Sequence, residues 1–446
     1  MFRAFWRWHF YASFLVIPVL LVLASTGLIY LLRFHIEPVL HADLMKVDVP
    51  ANTSRLSYDA QVAAVLAAYP DGRVASVLEP SAADRSTDVT LSGEDDTLRE
   101  VYVNPYTGKV LGDLDPDDTL PGWAKNTHKD MMLGTQGQYL MELGACWAIV
   151  MALTGYYLYW KGRGARMKRT LSKAKGAVLR HRHATVGLFV GIGLLALVVS
   201  GLPWTIWWGA KVQEYAAGHG TSMWSADPGA QSSAPTLDAS APHSHNVPWG
   251  EGKSPVPRSR ATAAGATAVG VDAAIKAAGL RGLAHPMTVV VPADEDGVYS
   301  VMGYAFHHPS AEGTVHIDQF TGQPVAQYGY GDYPALAKVV DQGIALHEGR
   351  RFGSANLVVS ALFCVAVIFM CVAGPVMWWR RRPKRDRTMA APRGRLDVRT
   401  GPVAVVGLVL LAIGLPVFGA SLVAVVVLDQ VVLRRVRPLR TFFNTV

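Results

Sequence analysis

Five stretches of this chain are too apolar and too long to serve as the core of a small soluble domain. Residues 12–32, 140–160, 184–208, 357–379 and 402–433 each reach the roughly 20 residues needed to cross a hydrocarbon layer of about 30 Å. In lipid every backbone N–H and C=O must find its partner inside the structure, so such runs are helices. Half of the 446 residues are apolar, and they are concentrated in these runs. The first run is flanked by Arg3 and Arg7 and lacks a small-residue cleavage site. It reads as a retained signal-anchor rather than a removed signal peptide.

The net charge of +8 is unevenly spread. Residues 161–183 hold nine Lys/Arg and no acid, and residues 380–400 hold nine against two acids. The stretch 34–127 reverses this, with 16 acids against 7 bases, and 210–346 has 12 against 7. Basic segments stay on the cytoplasmic side, which predicts both termini inside and both long polar loops outside. A nucleic-acid partner would need basic residues clustered on a soluble face, and that pattern is absent. All three cysteines, Cys146, Cys364 and Cys371, fall in apolar runs. That excludes a disulfide framework in the outer loops and any CxxC metal site.

The chain repeats itself. His9 lies 18 residues before Gly27 and His183 lies 18 before Gly201; His128 lies 27 before Gly155 and His347 lies 27 before Gly374. A small residue precedes each glycine: Thr26, Ser200, Thr154 and Ala373. Gly134 and Gly353 both stand six beyond their histidine, Trp160 and Trp379 both 32 beyond, Arg163 and Arg382 both 35 beyond. The loops repeat too. Residues 101–112 and 315–326 each alternate apolar and polar, reach an aromatic-Thr-Gly turn and resume as a strand, the signature of a hairpin. A helical pattern precedes each, at 58–69 and 271–280, and further strands are predicted at 287–291 and 298–303.

The predicted order is a membrane helix at 1–33, an outer domain at 34–127, a second helix at 128–160 and a basic loop at 161–182. A third helix at 183–209, an outer region at 210–346, a fourth helix at 347–380 and a basic loop at 381–400 follow. Residues 218–268 are rich in Ala, Ser, Pro and Gly without period and read as a flexible insertion. The unit 401–433, broken at Leu415-Pro416, is expected to be a helical hairpin that returns 434–446 to the cytoplasm. The fold class is thus an α-helical polytopic membrane protein, a four-helix core made by duplication plus a C-terminal hairpin, with two small α+β periplasmic domains.

Four histidines hold repeat-related places, each expected at the start of a membrane helix. His9 and His183 fall near the inner face, His128 and His347 near the outer face. If the helices are straight, the 27-residue offset spans roughly 40 Å. Imidazoles paired on facing helices can supply both axial ligands of a haem iron, which favours electron transfer over oxygen chemistry. A single histidine at a membrane interface is ordinarily an anchor, but anchoring gives no reason to keep His at four matched offsets. Zinc is disfavoured, since two histidines without a nearby carboxylate or Cys form an incomplete set. His181 competes with His183, although the repeat aligns it with Arg7; His35 and His41 lack counterparts in the second half. His219, His243 and His245 read as solvated, and His285, His307, His308 and His316 receive no role. Glu142, deep in the second helix, is either a proton- or quinone-handling group or a side chain bonded within the bundle.

Four segments carry a resemblance. They are WRWHFYASFLVIPVLLVLASTGLIY, THKDMMLGTQGQYLMELGACWAIVMALTGYYLYWKGR, RHRHATVGLFVGIGLLALVVSGLPWTIWW and LHEGRRFGSANLVVSALFCVAVIFMCVAGPVMWWRRR. With NPYTGKVLG in the first loop, the chain resembles the PepSY-associated transmembrane family, and its outer domains look like PepSY domains. That family includes iron-regulated inner-membrane proteins and ferric-siderophore reductases with two b-type haems. The resemblance implies haem-ligand roles for His9, His183, His128 and His347 and a periplasmic ferric chelate or siderophore as electron acceptor. The second loop departs from the pattern at Gln323-Pro324. No GxGxxG follows the fourth helix, so electrons are expected from a quinol or a separate reductase. The alternative, from another class, is a non-catalytic scaffold whose PepSY modules bind peptides or regulate a protease.

Overall fold

The computed structural model describes residues 1–446 apart from 94–96, 172, 174–175, 224–235, 241–246, 248–249, 260–266, 304–308, 383–387, 390, 392–400 and 445–446. In chain order it opens with α1 (Phe2–Leu31), α2 (Arg33–Leu40), α3 (Ala42–Met45) and α4 (Tyr58–Ala68). The strands β1 (Arg73–Leu78), β2 (Thr87–Ser92), β3 (Leu98–Val103) and β4 (Val110–Leu114) follow, then α5 (Leu120–Asp130), α6 (Thr135–Leu171), α7 (Ala177–Gly201) and α8 (Trp208–Gly218). The second loop contributes α9 (Leu237–Ser240), α10 (Val271–Gly279), β5 (Met287–Val290), β6 (Val298–Gly303), β7 (Gly313–Asp318), β8 (Pro324–Gly329) and α11 (Ala335–His347). The chain closes with α12 (Gly353–Arg381), α13 (Pro402–Gly414), α14 (Pro416–Leu428) and α15 (Arg437–Phe442). It divides into two compact units, Met1–Leu31 with Ala124–Glu214 and Val358–Val446, and Leu32–Trp123 with Tyr215–Leu357.

The first unit is helical. Among the described residues, five helical segments are long and apolar enough to cross a membrane: Phe2–Leu31, Thr135–Leu171, Ala177–Trp204, Gly353–Arg381 and Pro416–Leu433. Side chains from α1 (Val16, Leu20, Ala24), α6 (Ala148), α7 (Val190, Leu194) and α12 (Val367, Cys371) meet in one buried cluster. Small residues let the helices close: a Cβ on Gly144 of α6 would fall 2.6 Å from Val19 of α1. The C-terminal helices α13 and α14 break at Leu415-Pro416, as the proline requires. They pack on α6 through Phe418, and the Trp147 indole donates to the Ser421 hydroxyl at 2.9 Å. Asp429 pairs with Arg434 at 2.7 Å.

Two expected helix starts are corrected. The second membrane helix begins at Thr135, not at His128, and the fourth at Gly353, not at His347. His128 lies near the end of the preceding helix α5, and His347 is the last residue of α11. Between each histidine and its membrane helix the chain turns through Gly134 or Gly353, both at φ +58°. Only glycine adopts this left-handed conformation freely, which explains why both copies carry it at that place. The 27-residue offset is therefore no 40 Å straight rise. At its other end α6 continues to Leu171, into the segment expected to be a loop.

The second unit also departs from expectation. Instead of two separate modules, both loops contribute to one antiparallel sheet in the order β4-β3-β2-β1-β5-β6-β7-β8. Each half is a four-stranded meander, and β1 joins β5 with Val77 opposite Val289. The alternation in β5 and β6 sends Val289 and Val301 to one face, where Val65 of α4 and Ala274 and Ile275 of α10 complete a core. The two helices cap each other: Asp59 accepts from the Val271 N–H at 2.7 Å, and Asp272 accepts from the Tyr58 and Asp59 N–H groups at 3.0 and 2.8 Å. Val290, Val298 and Met302 point to the opposite face, where Leu237 and Val256 cover them. Those two belong to the stretch expected to be a flexible insertion. Its described residues pack instead, with Glu251 fully buried and accepting from Tyr333 at 2.8 Å.

Candidate functional site

Helix α1 brings His9 against α6. His9 Nδ1 lies 3.0 Å from the Met151 carbonyl and 3.2 Å from the Thr154 hydroxyl oxygen. A carbonyl only accepts, and the Thr154 hydroxyl donates its proton to the Val150 carbonyl at 2.8 Å. Nδ1 must therefore carry the hydrogen, and the Nε2 lone pair is left available for a metal. A Cβ on Gly155 would sit 3.3 Å from His9 Cε1, so the missing side chain at 155 is what lets the ring lie on α6. Thr154 and Gly155 thus act together, one orienting the imidazole and the other making room for it.

The same device recurs toward the other end of α1. His128 Nδ1 lies 3.1 Å from the Thr26 hydroxyl, whose proton goes to the Val22 carbonyl at 2.7 Å. Thr26 accepts from Nδ1–H, so Nε2 is the unprotonated nitrogen. A Cβ on Gly27 would stand 3.1 Å from His128 Cε1. His9 and Gly27 lie 18 residues apart in one helix, about 27 Å, so the two imidazoles occupy separate sites in this unit.

His183 of α7 lies within Coulombic reach of His9 and of Arg381. Its Nδ1 is buried without a hydrogen-bond partner among the described residues, and the same holds for Nδ1 of the competing His181. The residue that corresponds to Thr154 in the second half is Ala373, which has no hydroxyl to offer. His347 is half-buried at the end of α11, in the second unit, whereas His128 belongs to the first. No group of three or more His, Cys, Asp or Glu side chains among the described residues could hold a metal ion by itself. Two neutral imidazoles without thiolate or carboxylate suit instead a metal that arrives with its own equatorial ligands.

Glu142 has a different task. Its carboxylate, buried in α6, accepts the backbone N–H groups of Trp207 and Trp208 at 3.0 and 3.1 Å. It caps the start of α8 and ties the turn after α7 to α6, so of the two readings the bonded one holds. Sequence reasoning noticed Thr26 and Thr154 only as small residues; the Thr-Gly dipeptide was the available signal for their bonding role. It also missed a buried charge cluster in the second unit. Arg350 donates to Glu312 at 2.9 Å and to Glu348 at 2.9 Å, while neither oxygen of the fully buried Asp341 has a hydrogen-bond partner among the described residues. Burial pushes the Glu312 carboxyl up to about 8 and that of Asp341 up to about 6. His316, beside the Ser300 hydroxyl at 2.9 Å, is pushed down to about 3 by burial, and His285 pairs with Glu79 at 2.5 Å. His243, His245, His307 and His308 lie outside the described residues.

Compared with known families, residues 6–381 match the PepSY-associated TM region. No curated protein matches the chain.

Proposed function

The chain belongs to the PepSY-associated TM region family and is a multi-pass membrane protein, and from that premise we propose that it is a transmembrane di-haem b electron-transfer protein. One haem would be held by His9 and His183, the other by His128 and His347. The observation that carries this reading is the fixed tautomer at His9 and His128. At His9 the Nδ1–H lies between the Met151 carbonyl and the Thr154 hydroxyl, and at His128 it goes to the Thr26 hydroxyl, so in each ring Nε2 is the unprotonated nitrogen. An outer hydrogen bond of this kind orients a ligating imidazole and raises its basicity. An interfacial anchor would need neither the threonine nor the glycine beside it.

Haem, when bound, supplies one-electron exchange; the protein supplies ligands, depth and dielectric. The charge asymmetry supports a bacterial inner-membrane location with both termini in the cytoplasm. On that orientation His9 and His183 face the donor side, where a quinol or a separate reductase delivers electrons. His128 and His347 face the periplasm, where the acceptor is a ferric siderophore or another ferric chelate. Reduction to Fe(II) loosens the hold of hard oxygen ligands and releases the metal for uptake.

The test is an absorption spectrum of the purified full-length protein with haem counted per chain. The expected result is a six-coordinate b-type Soret band and two haems. His128→Ala is expected to remove about half of the haem, leaving the His9 end loaded. A protein without stoichiometric chromophore overturns the reading and favours a peptide-binding scaffold.

A further inference from the structure

Two arginines mark the His9 end, Arg180 about one helical turn before His183 and Arg381 beside Trp6. Arg180 precedes His183 by three residues in α7, so both side chains project from one face of that helix. Trp6 precedes His9 by three residues in α1, and the Arg381 guanidinium lies 5.9 Å from the centre of the Trp6 ring. Arg381 is also within Coulombic reach of His183 and of Arg180. Its Nε donates to the Met377 carbonyl of its own helix at 3.0 Å, which steadies the side chain and leaves both Nη groups for another acceptor.

Among the described residues no Asp or Glu forms an ion pair with Arg180 or Arg381. Residues 161–183 contain no acid at all. Like charges gathered without a counter-ion among the described residues repel one another. The rule that keeps basic residues on one side of a membrane asks for positive charge in the loop. It does not ask for guanidinium groups on the same helical face as a histidine, or against the first turns of the facing helix. An anion placed beside the imidazoles would relieve the repulsion and use the planar donor forks of both arginines.

We propose that Arg180 and Arg381 form a carboxylate clamp for the haem of the His9–His183 site. The inference rests on the haem reading above and adds to it which edge of the cofactor faces the basic end of the bundle. Haem carries its two carboxylates on one edge and is apolar elsewhere, so a clamp at this place orients the ring as well as holding it. The shared chemistry, an anionic group near the membrane surface, also fits a phospholipid headgroup, and the experiment must separate the two.

Full-length protein stripped of haem is reconstituted with haem or with haem dimethyl ester, in which both carboxylates are blocked. The expected result is that the unmodified chain binds the diester about tenfold more weakly than haem at the His9 end. The variant carrying Arg180→Gln and Arg381→Gln is expected to bind haem about tenfold more weakly there and to lose the discrimination. Its midpoint potential at that haem is expected to fall, because the positive charges favour the reduced, more negative form. Arg381→Lys should restore part of both effects. Undiminished haem occupancy at the His128 end serves as the control for folding, and the single variant Arg180→Gln keeps the test open should the double variant fail it. Equal affinity of the unmodified chain for haem and diester overturns the clamp. So does a variant that loses only its binding to phosphatidylglycerol vesicles, which assigns the arginines to lipid. An unmodified chain that takes up no haem overturns the haem reading itself, a separate and recognisable outcome.

Discussion

The two halves of the duplicated bundle keep the same histidines and differ in what stands behind them. In the first half His9 leans on Thr154 and Gly155, and His128 on Thr26 and Gly27. In the second half the residue matching Thr154 is Ala373, and the Nδ1 of His183 has no partner among the described residues. Duplication therefore preserved the donors and relaxed the hydrogen bond that orients one of them. In the proposed di-haem reading a ligand pair would tolerate this, because one well-oriented imidazole and a seated cofactor would together restrict the second. The same asymmetry marks Glu142, whose counterpart is Ala361. Only the first copy needs a carboxylate there, since only it receives the two N–H groups at the start of α8.

Removing the threonines should erase the difference between the halves and have the largest effect. Thr154→Val or Thr26→Val is expected to weaken haem binding at the corresponding site by about ten- to hundredfold, read by haem titration of the apo-protein. An affinity within about twofold of the unmodified chain would show that the hydroxyls do not orient ligands. Next comes Glu142→Ala, which makes α6 resemble α12. Leaving two buried N–H groups unpaired should lower stability by about 2 kcal/mol in thermal unfolding; an unchanged transition would deny the capping role.

The two long loops differ as well, because Glu312, Asp341 and His316 all belong to the second. The carboxyls of Glu312 and Asp341 are raised, so the folded state holds protons that the unfolded chain releases. Their penalty is absent below the ordinary carboxyl range and grows as pH rises from there to about 6 for Asp341 and about 8 for Glu312. His316 is lowered and acts oppositely, its contribution being lost as pH falls from its ordinary value toward about 3. Asp341→Leu should therefore stabilise the protein more at pH 8 than at pH 5, by about 1 kcal/mol. A pH-independent gain would mean that packing, not charge, is the cause. The smallest expected effect is a gain. Ala373→Ser puts a hydroxyl at the position that corresponds to Thr154 and should tighten haem binding at the His9 end about threefold; a loss would show that the second half has repacked around the alanine.

Much of this molecule could be read along the chain. Apolar length decides that a segment is a membrane helix, and the hairpins at β3–β4 and β7–β8 follow from alternation and the Thr-Gly turns, because these signals are local. The repeat also singled out the four histidines and both turn glycines, since equal spacing needs no third dimension. The sequence alone did not say that the two loops share one sheet, because the joining of β1 to β5 is a contact between strands some 200 residues apart. Nor did it say that the threonine before each glycine serves a histidine on another helix, or that Glu142 caps a helix start. Those depend on which faces meet when the helices pack, and a hydrogen bond between distant residues has no period to betray it.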